Sequence, residues 1–260
     1  MKDQLNRNIL LNTTPKRIIS LVPSQTELLH DLGLENSIVG ITKFCVHPLH
    51  LKLTKEIVGG TKNIKIEKIK ALNPDIIICN KEENTKEIVA ACQEICTTHV
   101  SDIATIEDCI VLINQYGEIF NKRVSANKII DKINCNLKDF KIFIKDKPTL
   151  KVAYFIWRKP WMVAANGTFI NHMLLLNKFE NVYNNLERYP EIELNKLSQS
   201  NPNTIFLSSE PFPFNNIHIQ EILNISANAK ILLVDGEMFS WYGSRLIKSF
   251  NYFKTLHQSL

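Results

Sequence analysis

Residues 122–147 read KRVSANKIIDKINCNLKDFKIFIKDK, and this stretch decides how the rest of the chain can fold. Polar and charged residues surround an apolar stripe, so the pattern predicts an amphipathic α-helix. The stripe recurs at spacings of three, four and six, at Val124, Ile130, Ile133, Leu137, Phe140 and Ile144. Pro148 ends the helix, because proline lacks an N–H and its ring clashes with the preceding turn. A helix of about 25 residues is roughly 37 Å long, the diameter of a small domain.

Strand and helix patterns alternate on both sides of this helix, which predicts βαβ units with parallel sheets. Before the helix, β-branched apolar runs predict strands at 17–22, 38–42, 76–79 and 97–100, with helices at 66–72 and 85–96. After it, strands are predicted at 151–157, 204–208 and 230–234, with helices at 169–176 and from 241 to 252.

Three helix boundaries carry a local signal. Ser24 with Glu27 has the spacing of a capping box, and Gly33 suits the position after a helix end. Thr105, with Asp108 three residues on, predicts a helix that runs to about residue 116, where Gly117 would break it.

The predicted fold class is therefore α/β, with two Rossmann-like lobes joined by one long rigid α-helix. The N-terminal lobe is assigned to residues 15–118, the bridging helix to 119–148 and the C-terminal lobe to 149–260. An ordinary surface helix within a single domain would show the same periodicity, and it remains the alternative at this point.

Composition narrows the class of protein. Of 260 residues, 45% are apolar and 22% charged, which describes a globular protein and not a disordered one. The net charge of +5 comes from scattered lysines, so it does not indicate a protein that binds nucleic acid. No stretch is long and apolar enough to span a membrane. The first 17 residues show no secretory signal, which predicts a cytoplasmic location unless a signal was removed, in which case the protein would be periplasmic or membrane-anchored.

The six cysteines all lie before residue 136 and lack the paired spacing of a zinc site. Cys79 ends an apolar strand and is predicted to be a buried small hydrophobe. Cys92 and Cys96 are one helical turn apart; a structural role is favoured, with redox or metal chemistry as the alternative.

In open α/β sheets, ligands bind outside the carboxyl ends of the strands, so the residues that follow each strand are the candidate binding residues. In the first lobe these are Ser24, Gln25, Phe44, His47, Lys81, Glu82, Glu83 and Asn84. In the second lobe they are Trp157, Arg158, Trp161, Glu210, Phe212, Trp241, Tyr242 and Arg245. All three tryptophans of the chain fall in these loops, where aromatic rings offer large contact area at low entropic cost.

Some of these residues allow other roles. His47, Glu82 and Glu83 could bind a metal ion directly, and Arg245, one turn after Trp241, could stack on that ring or clamp an anion. Motifs for nucleotide binding, serine hydrolysis and zinc proteolysis are absent from the sequence.

Three segments together resemble a known family. They are RIISLVPSQTELLHDLGL (17–34), IVGITKFCVHP (38–48) and VGGTKNIKIEKIKALNPDIIIC (58–79). With the long helix, they resemble the substrate-binding proteins of ABC importers for vitamin B12, iron–siderophores and haem, with the cobalamin type the most similar in pattern. The resemblance extends over residues 15–258 and is weaker in the second lobe.

The resemblance implies a monomeric binding protein that holds a metal-containing or metal-chelating small molecule in a cleft between two lobes, with no covalent cofactor. A corrinoid is favoured, followed by a ferric siderophore chelate or haem, and the stiff helix would limit closure. Docking on an ABC-transporter permease would use Glu67, with Asn195 and the nearby Glu193 at the matching place in the second lobe. The alternatives are a direct metal-ion binding protein and a cytosolic two-lobed enzyme of the tetrapyrrole-metal chelatase type.

Overall fold

The computed structural model describes residues 1–225 and 228–260. These residues form two compact α/β units. The first unit comprises residues 1–134 and 242–247, and the second comprises 135–241 and 248–260. This division differs from the predicted lobe boundaries in two ways. It falls inside the long helix, and a short segment from near the C-terminus belongs to the first unit.

The first unit is built on a parallel five-stranded sheet in the order β3-β2-β1-β4-β5. Its strands are β1 (Ile18–Ser20), β2 (Ile38–Ile41), β3 (Glu56–Ile57), β4 (Ile76–Asn80) and β5 (Thr97–Ser101). Its helices are α1 (Pro23–Asp31), α2 (Leu51–Thr54), α3 (Ile66–Ala71), α4 (Lys86–Gln93) and α5 (Ile106–Ile119). The strand order reverses between β1 and β4, so the loops after these two strands flank the position where such sheets bind ligands.

Helix α1 begins differently from the prediction. Pro23 occupies its first position, and Val22 at the N-cap makes no side-chain capping bond. Ser24 and Glu27 therefore form no capping box, because Pro23 already fixes the helical φ angle at the start. The predicted helix start at Thr105 is confirmed, and Thr105 with Asp108 forms a capping box at the start of α5.

The predictions made at two glycines have opposite outcomes. Gly33 follows α1 with a φ of +77°, as predicted for the residue after a helix end. Gly117 does not break α5, which continues to Ile119. A Cβ at Gly117 would lie 2.8 Å from the Cβ of Ala126, so this glycine permits close packing of two helices.

The long helix is present as one unbroken element, α6 (Arg123–Ile144), of 22 residues. It passes from the first unit into the second at residue 135. Its buried side chains are Ala126, Ile129, Ile133, Phe140 and Ile144. Val124 is 71% exposed, so the predicted stripe is wrong at its start. It is correct at Ile133, Phe140 and Ile144, whereas Leu137 is only half-buried. The two α/β units joined by one long helix confirm the predicted fold class.

The second unit contains a mixed sheet in the order β10-β9-β6-β7, with β8 also paired to β6. Only the β6–β7 pair is antiparallel among these pairings. The strands are β6 (Leu150–Trp157), β7 (Met162–Val163), β8 (Phe179–Asn181), β9 (Thr204–Ser208) and β10 (Lys230–Val234). The helices are α7 (Phe169–Leu176), α8 (Leu197–Ser200), α9 (Asn216–Leu223), α10 (Gly236–Ser240) and α11 (Leu246–Gln258). The terminal helix thus begins at Leu246 and not at Trp241, which ends α10.

Within the described ranges, 1–225 and 228–260, no helix has both the length and the apolar character needed to cross a membrane.

Candidate functional site

Gln25 is the centre of a buried polar network at the carboxyl edge of the first unit's sheet. Its amide nitrogen donates to Ser101 Oγ at 2.6 Å and to the Tyr242 hydroxyl at 2.9 Å. Its amide oxygen accepts from the hydroxyl of Tyr116. Burial raises the pKa of both tyrosines, so each remains a neutral hydroxyl at physiological pH. Gln25 is fully buried and therefore positions the surrounding residues.

The segment 242–247 reaches this network because a glycine admits it. Gly243 has a φ of +92°, and a Cβ there would lie 3.3 Å from Leu28 Cβ. The Gly243 N–H donates to Cys109 Sγ at 3.0 Å, while Tyr242 also bonds the Ser24 side chain. Burial raises the pKa of Cys109 to about 12, so this thiol is inert.

Asn80 shapes the loop that follows β4. Its side-chain oxygen accepts from the backbone N–H groups of Glu82 and Glu83 at 2.8 and 3.1 Å. Its amide nitrogen donates to Ser101 Oγ at 3.0 Å, and its own N–H donates to the Asn84 side chain at 2.9 Å. The two adjacent acids are therefore held on a fixed turn.

Glu83 has an unusual electrostatic environment for a loop carboxylate. Burial raises its pKa, and the charge of Glu82 acts in the same direction. Lys62 and a hydrogen bond from Thr61 oppose this rise without cancelling it. The Lys62 ammonium also donates to the Glu82 carbonyl oxygen. Burial therefore makes the charged form of Glu83 less favourable than that of an exposed carboxylate.

The loop after β2 has an anchored residue beside a projecting one. Cys45 is buried, with its sulfur 3.1 Å from Thr26 Oγ1, and burial raises the pKa of its thiol. Phe44 is 48% exposed, with the Lys43 ammonium 4.9 Å from its ring centroid. His47 is half-buried in the same loop. Phe44 therefore offers apolar surface in this loop, as does Leu49, which is 66% exposed.

Two of the predicted basic residues are paired with carboxylates inside the first unit. Arg245 bonds Glu27 through two contacts of 2.7 and 3.1 Å, and both side chains are 5% exposed. Lys81 bonds Asp102 at 2.6 Å in a more exposed position. Because α11 begins at Leu246, the expected alignment of Arg245 with Trp241 on one helical face is wrong.

In the second unit, Trp157 and Phe212 form an aromatic pair at the carboxyl ends of β6 and β9. Their ring centroids are 5.7 Å apart in an edge-to-face arrangement. Trp157 is 39% exposed, which is unusual for the largest apolar side chain. This pair presents a partly exposed aromatic surface.

Trp161 and Arg158 are held more firmly. Trp161 stacks on Phe214 with centroids 6.0 Å apart and packs against the core of the unit. Arg158 forms a two-point ion pair with Glu221 at 2.6 and 2.8 Å, and its guanidinium lies 5.8 Å from the Trp161 ring. That ion pair raises the pKa of Arg158 and lowers the pKa of Glu221.

Glu210, in the loop after β9, holds the C-terminal end of α10. One carboxylate oxygen accepts from Ser240 Oγ and from the indole N–H of Trp241, each at 2.8 Å. Trp241 is buried. A Cβ at Gly236 would lie 2.3 Å from Ser208 Oγ and 2.7 Å from Glu210 Cγ, so only glycine fits at this approach.

Residues 18–230 of this chain match a family model described as periplasmic binding protein. The chain belongs to the periplasmic binding protein family.

Individual relatives agree with this membership. An uncharacterized ABC transporter substrate-binding lipoprotein of Bacillus subtilis (strain 168) is 27% identical over 66% of this chain, and the match spans 57% of that protein's length. A vitamin B12-binding protein of Vibrio campbellii is 24% identical over 76% of this chain and 72% of its own. The fold matches the apo form of the periplasmic haem-binding protein RhuT of Roseiflexus sp. RS-1, with a TM-score of 0.83 at 14% identity, covering 94% of this chain and 98% of that one.

Membership decides between the predicted classes of function. This periplasmic binding protein is a solute-binding protein and not an enzyme, so the chelatase alternative has no support. The predicted cytoplasmic location is not supported either, because the family is periplasmic and the Bacillus subtilis relative is a lipoprotein.

The predicted metal set does not converge. Among the described residues, only His30, Glu35 and His50 bring three metal-ligating side chains within 4.8 Å of one another. His47, Glu82 and Glu83 do not form such a group. Direct metal binding through this set is therefore not supported.

Cys79, Cys92 and Cys96 pack in one hydrophobic core of the first unit, whereas Cys135 is exposed. All six cysteines are free, and Cys79 is fully buried, as predicted. Cys92 shares a hydrogen bond with Cys79 in the core of the first unit, so its partner is not Cys96. Burial raises the pKa of Cys96 to about 12, which suppresses the thiolate needed for redox chemistry.

Three members of the Gln25 network were not predicted from the sequence: Asn80, Ser101 and Tyr116. Asn80 and Ser101 are polar residues at the carboxyl ends of β4 and β5, which is a usable signal. Tyr116 lies inside α5 and gave no such signal, because helical spacing alone marks it as a core residue.

Proposed function

We propose that this periplasmic binding protein binds a corrinoid through residues at the carboxyl edges of its two sheets. The observation that carries the proposal is the partly exposed aromatic pair of Trp157 and Phe212. A flat macrocycle offers the extended apolar contact that such rings favour, and the Vibrio campbellii relative is named for vitamin B12.

Charge favours a corrinoid over haem. Glu82 and Glu83 stand on the turn after β4 at the carboxyl edge of the first unit. Carboxyl groups accept hydrogen bonds from the amide substituents of a corrin ring, whereas they repel the propionates of haem. Phe44 adds apolar surface on the same unit.

Cyanocobalamin is expected to bind the purified protein and to stabilise it. At a hundredfold excess over its dissociation constant, the ligand should raise the free energy of unfolding by about 2.7 kcal/mol. Trp157→Ala should weaken binding about tenfold, because a large aromatic anchor is lost. Isothermal titration calorimetry and thermal denaturation measure both effects.

Leu175→Ala is the matched control for this titration. Leu175 is an exposed apolar residue of the same unit, at the end of α7 and away from the carboxyl edge. It should leave the affinity unchanged. Parallel titrations with haemin and a ferric siderophore compare the ligand classes; tighter binding of either one, or no heat with cyanocobalamin, would reject the corrinoid assignment.

We also propose that the protein docks on an ABC-transporter permease at the membrane surface. Glu67 lies in the first turn of α3 with its side chain 85% exposed, and it pairs with Lys70 at 2.9 Å. In the second unit, Glu193 pairs with Lys196 in the same spacing, at 2.7 Å beside Asn195. An exposed acid at a helix start is available to a basic partner surface.

Glu67→Lys is expected to weaken association with the permease of the same organism in nanodiscs at least tenfold, since it places like charge against a basic surface. Glu94→Lys makes the same charge change at the end of α4, the opposite edge of the sheet, and should have little effect. Ligand affinity should persist in both variants. Surface plasmon resonance that finds equal losses for the two would reject Glu67 as a docking residue.

A further inference from the structure

A cluster of two histidines and one glutamate lies in the first unit, outside the proposed ligand site. The ligand atoms of His30, Glu35 and His50 all lie within 4.8 Å of one another. His30 Nε2 is 3.4 Å from one Glu35 carboxylate oxygen, and His50 Nε2 is 2.8 Å from the other. The two imidazole rings stand edge to face with centroids 5.7 Å apart.

The backbone brings these residues together by a local turn. His30 is in the last turn of α1, and Gly33, with a φ of +77°, reverses the chain. Glu35 is the first residue of a short 3₁₀ turn, and its side chain points back to His30. His50 arrives at the start of α2, where Thr54 Oγ1 donates to its carbonyl oxygen.

The cluster lies at the amino edge of the sheet. Helix α1 runs from the carboxyl end of β1 to its amino side, and Glu35–Ser37 directly precedes β2. Gln25 and the acidic turn of the proposed site lie at the carboxyl edge. The cluster is therefore separate from the residues assigned to the corrinoid.

The spacing suits a tetrahedral ion. Two ligand atoms bound at about 2.0–2.1 Å to a tetrahedral zinc ion lie about 3.3 Å apart. The 3.4 Å contact between His30 and one Glu35 oxygen already has this separation. His50, which is 2.8 Å from the other oxygen, needs a small rotation to meet the same ion. The exposed His50 side chain, at the end of a short loop, can make that change.

His30 also carries a second carboxylate behind its ring. Its Nδ1 is 3.1 Å from the Asp31 carboxylate. A carboxylate only accepts, so Nδ1 carries the proton in this contact. In the neutral ring, the Nε2 lone pair then faces Glu35, an arrangement that a cation would stabilise. A carboxylate behind a histidine is the usual outer partner of a metal-binding imidazole.

One cation lies near the cluster. The Lys55 ammonium donates to the backbone carbonyl oxygen of Glu35 at 2.7 Å. No contact of Lys55 with the Glu35 carboxylate is found among the described residues, whereas that carboxylate meets both histidines. The carboxylate therefore remains oriented toward the imidazoles.

We propose that His30, Glu35 and His50 bind a divalent ion of the zinc type, with Asp31 orienting His30. Imidazole and carboxylate together suit Zn²⁺, Ni²⁺ and Cu²⁺, and three protein ligands leave a fourth position for water. The bound ion ties the end of α1 to the start of α2.

Titration of the full chain with zinc chloride is expected to show one ion bound per chain. His30→Asn and His50→Asn should each lower the affinity at least tenfold, and Asp31→Asn about tenfold. His172→Asn, which removes a histidine of the second unit, is the matched control and should bind as the parent does. Far-UV circular dichroism checks that each variant is folded.

Histidine-ring NMR gives a readout that does not depend on variants. Zinc should shift the Nε2 resonances of His30 and His50 in the parent protein and leave those of His172 in place. The proposal is overturned if these two rings do not shift, if zinc affinity survives both substitutions, or if the control loses affinity equally. Cyanocobalamin affinity should be the same with and without zinc, because the two sites lie at opposite edges.

Discussion

Arg245→Met is expected to lower the free energy of unfolding by about 3–5 kcal/mol. The substitution leaves the Glu27 carboxylate buried without its cation, and both side chains of this pair are only 5% exposed. Glu27 cannot move into solvent, because it lies within α1. The loss of an opposite charge in a buried pair therefore costs more than the pair itself contributes.

Equilibrium urea unfolding measures this loss, and two further variants identify its cause. The double variant Glu27→Leu, Arg245→Met removes both charges and should recover most of the stability. Arg123→Met breaks the exposed pair with Glu118 and should cost at most about 1 kcal/mol. If the double variant were as unstable as Arg245→Met, lost packing and not a stranded charge would be the cause.

Phe140→Ala is expected to destabilise the protein by about 3–5 kcal/mol, the cost of emptying a large buried aromatic site. Phe140 is fully buried in α6, with ring centroids 5.8 Å from Phe250 and 6.0 Å from Phe253 of α11. These contacts attach the second half of the long helix to the second unit. Thermal and urea denaturation followed by circular dichroism give the value.

Ile142→Ala is the matched control on the same helix. Ile142 is 68% exposed, so its replacement should change the stability by no more than about 0.5 kcal/mol. Equal losses for the two variants would show that α6 is not anchored through its buried face.

Several elements of the fold were predictable because their signals are local. Helix α7 begins and ends where predicted, since Thr168 caps it by accepting from the Asn171 N–H. Strand β10 matches its prediction at both ends. The capping box at Thr105 is likewise formed by residues three apart. In each case the deciding interactions lie within a few residues.

The failures have a common cause in contacts between distant residues. Glu27 serves Arg245, which is 218 residues away, so it does not cap its own helix. Gly117 permits α5 to approach Ala126 of another helix, an effect that no local rule contains. The terminal helix starts late because Tyr242 and Gly243 pack into the first unit.

The candidate site shows the same contrast. The place of the candidate residues in the fold followed from the sequence, because polar and aromatic residues after each strand collect at one edge of a parallel sheet. The sequence did not show which of these residues face solvent. Trp157 is exposed while Trp241 is buried with its indole N–H on Glu210, although both were predicted from the same pattern.

By itself, the sequence determined the α/β class, the long helix and the order of the elements, because periodicity and caps report the hydrophobic face of each segment. Only the tertiary structure decided how that helix is used. Its buried face begins at Ala126 and not at Val124, since Gly117 of α5 packs there. It also decided that His30, Glu35 and His50 converge while His47, Glu82 and Glu83 do not. Whether side chains converge depends on where the backbone turns, and the type of a single residue does not show where those turns occur.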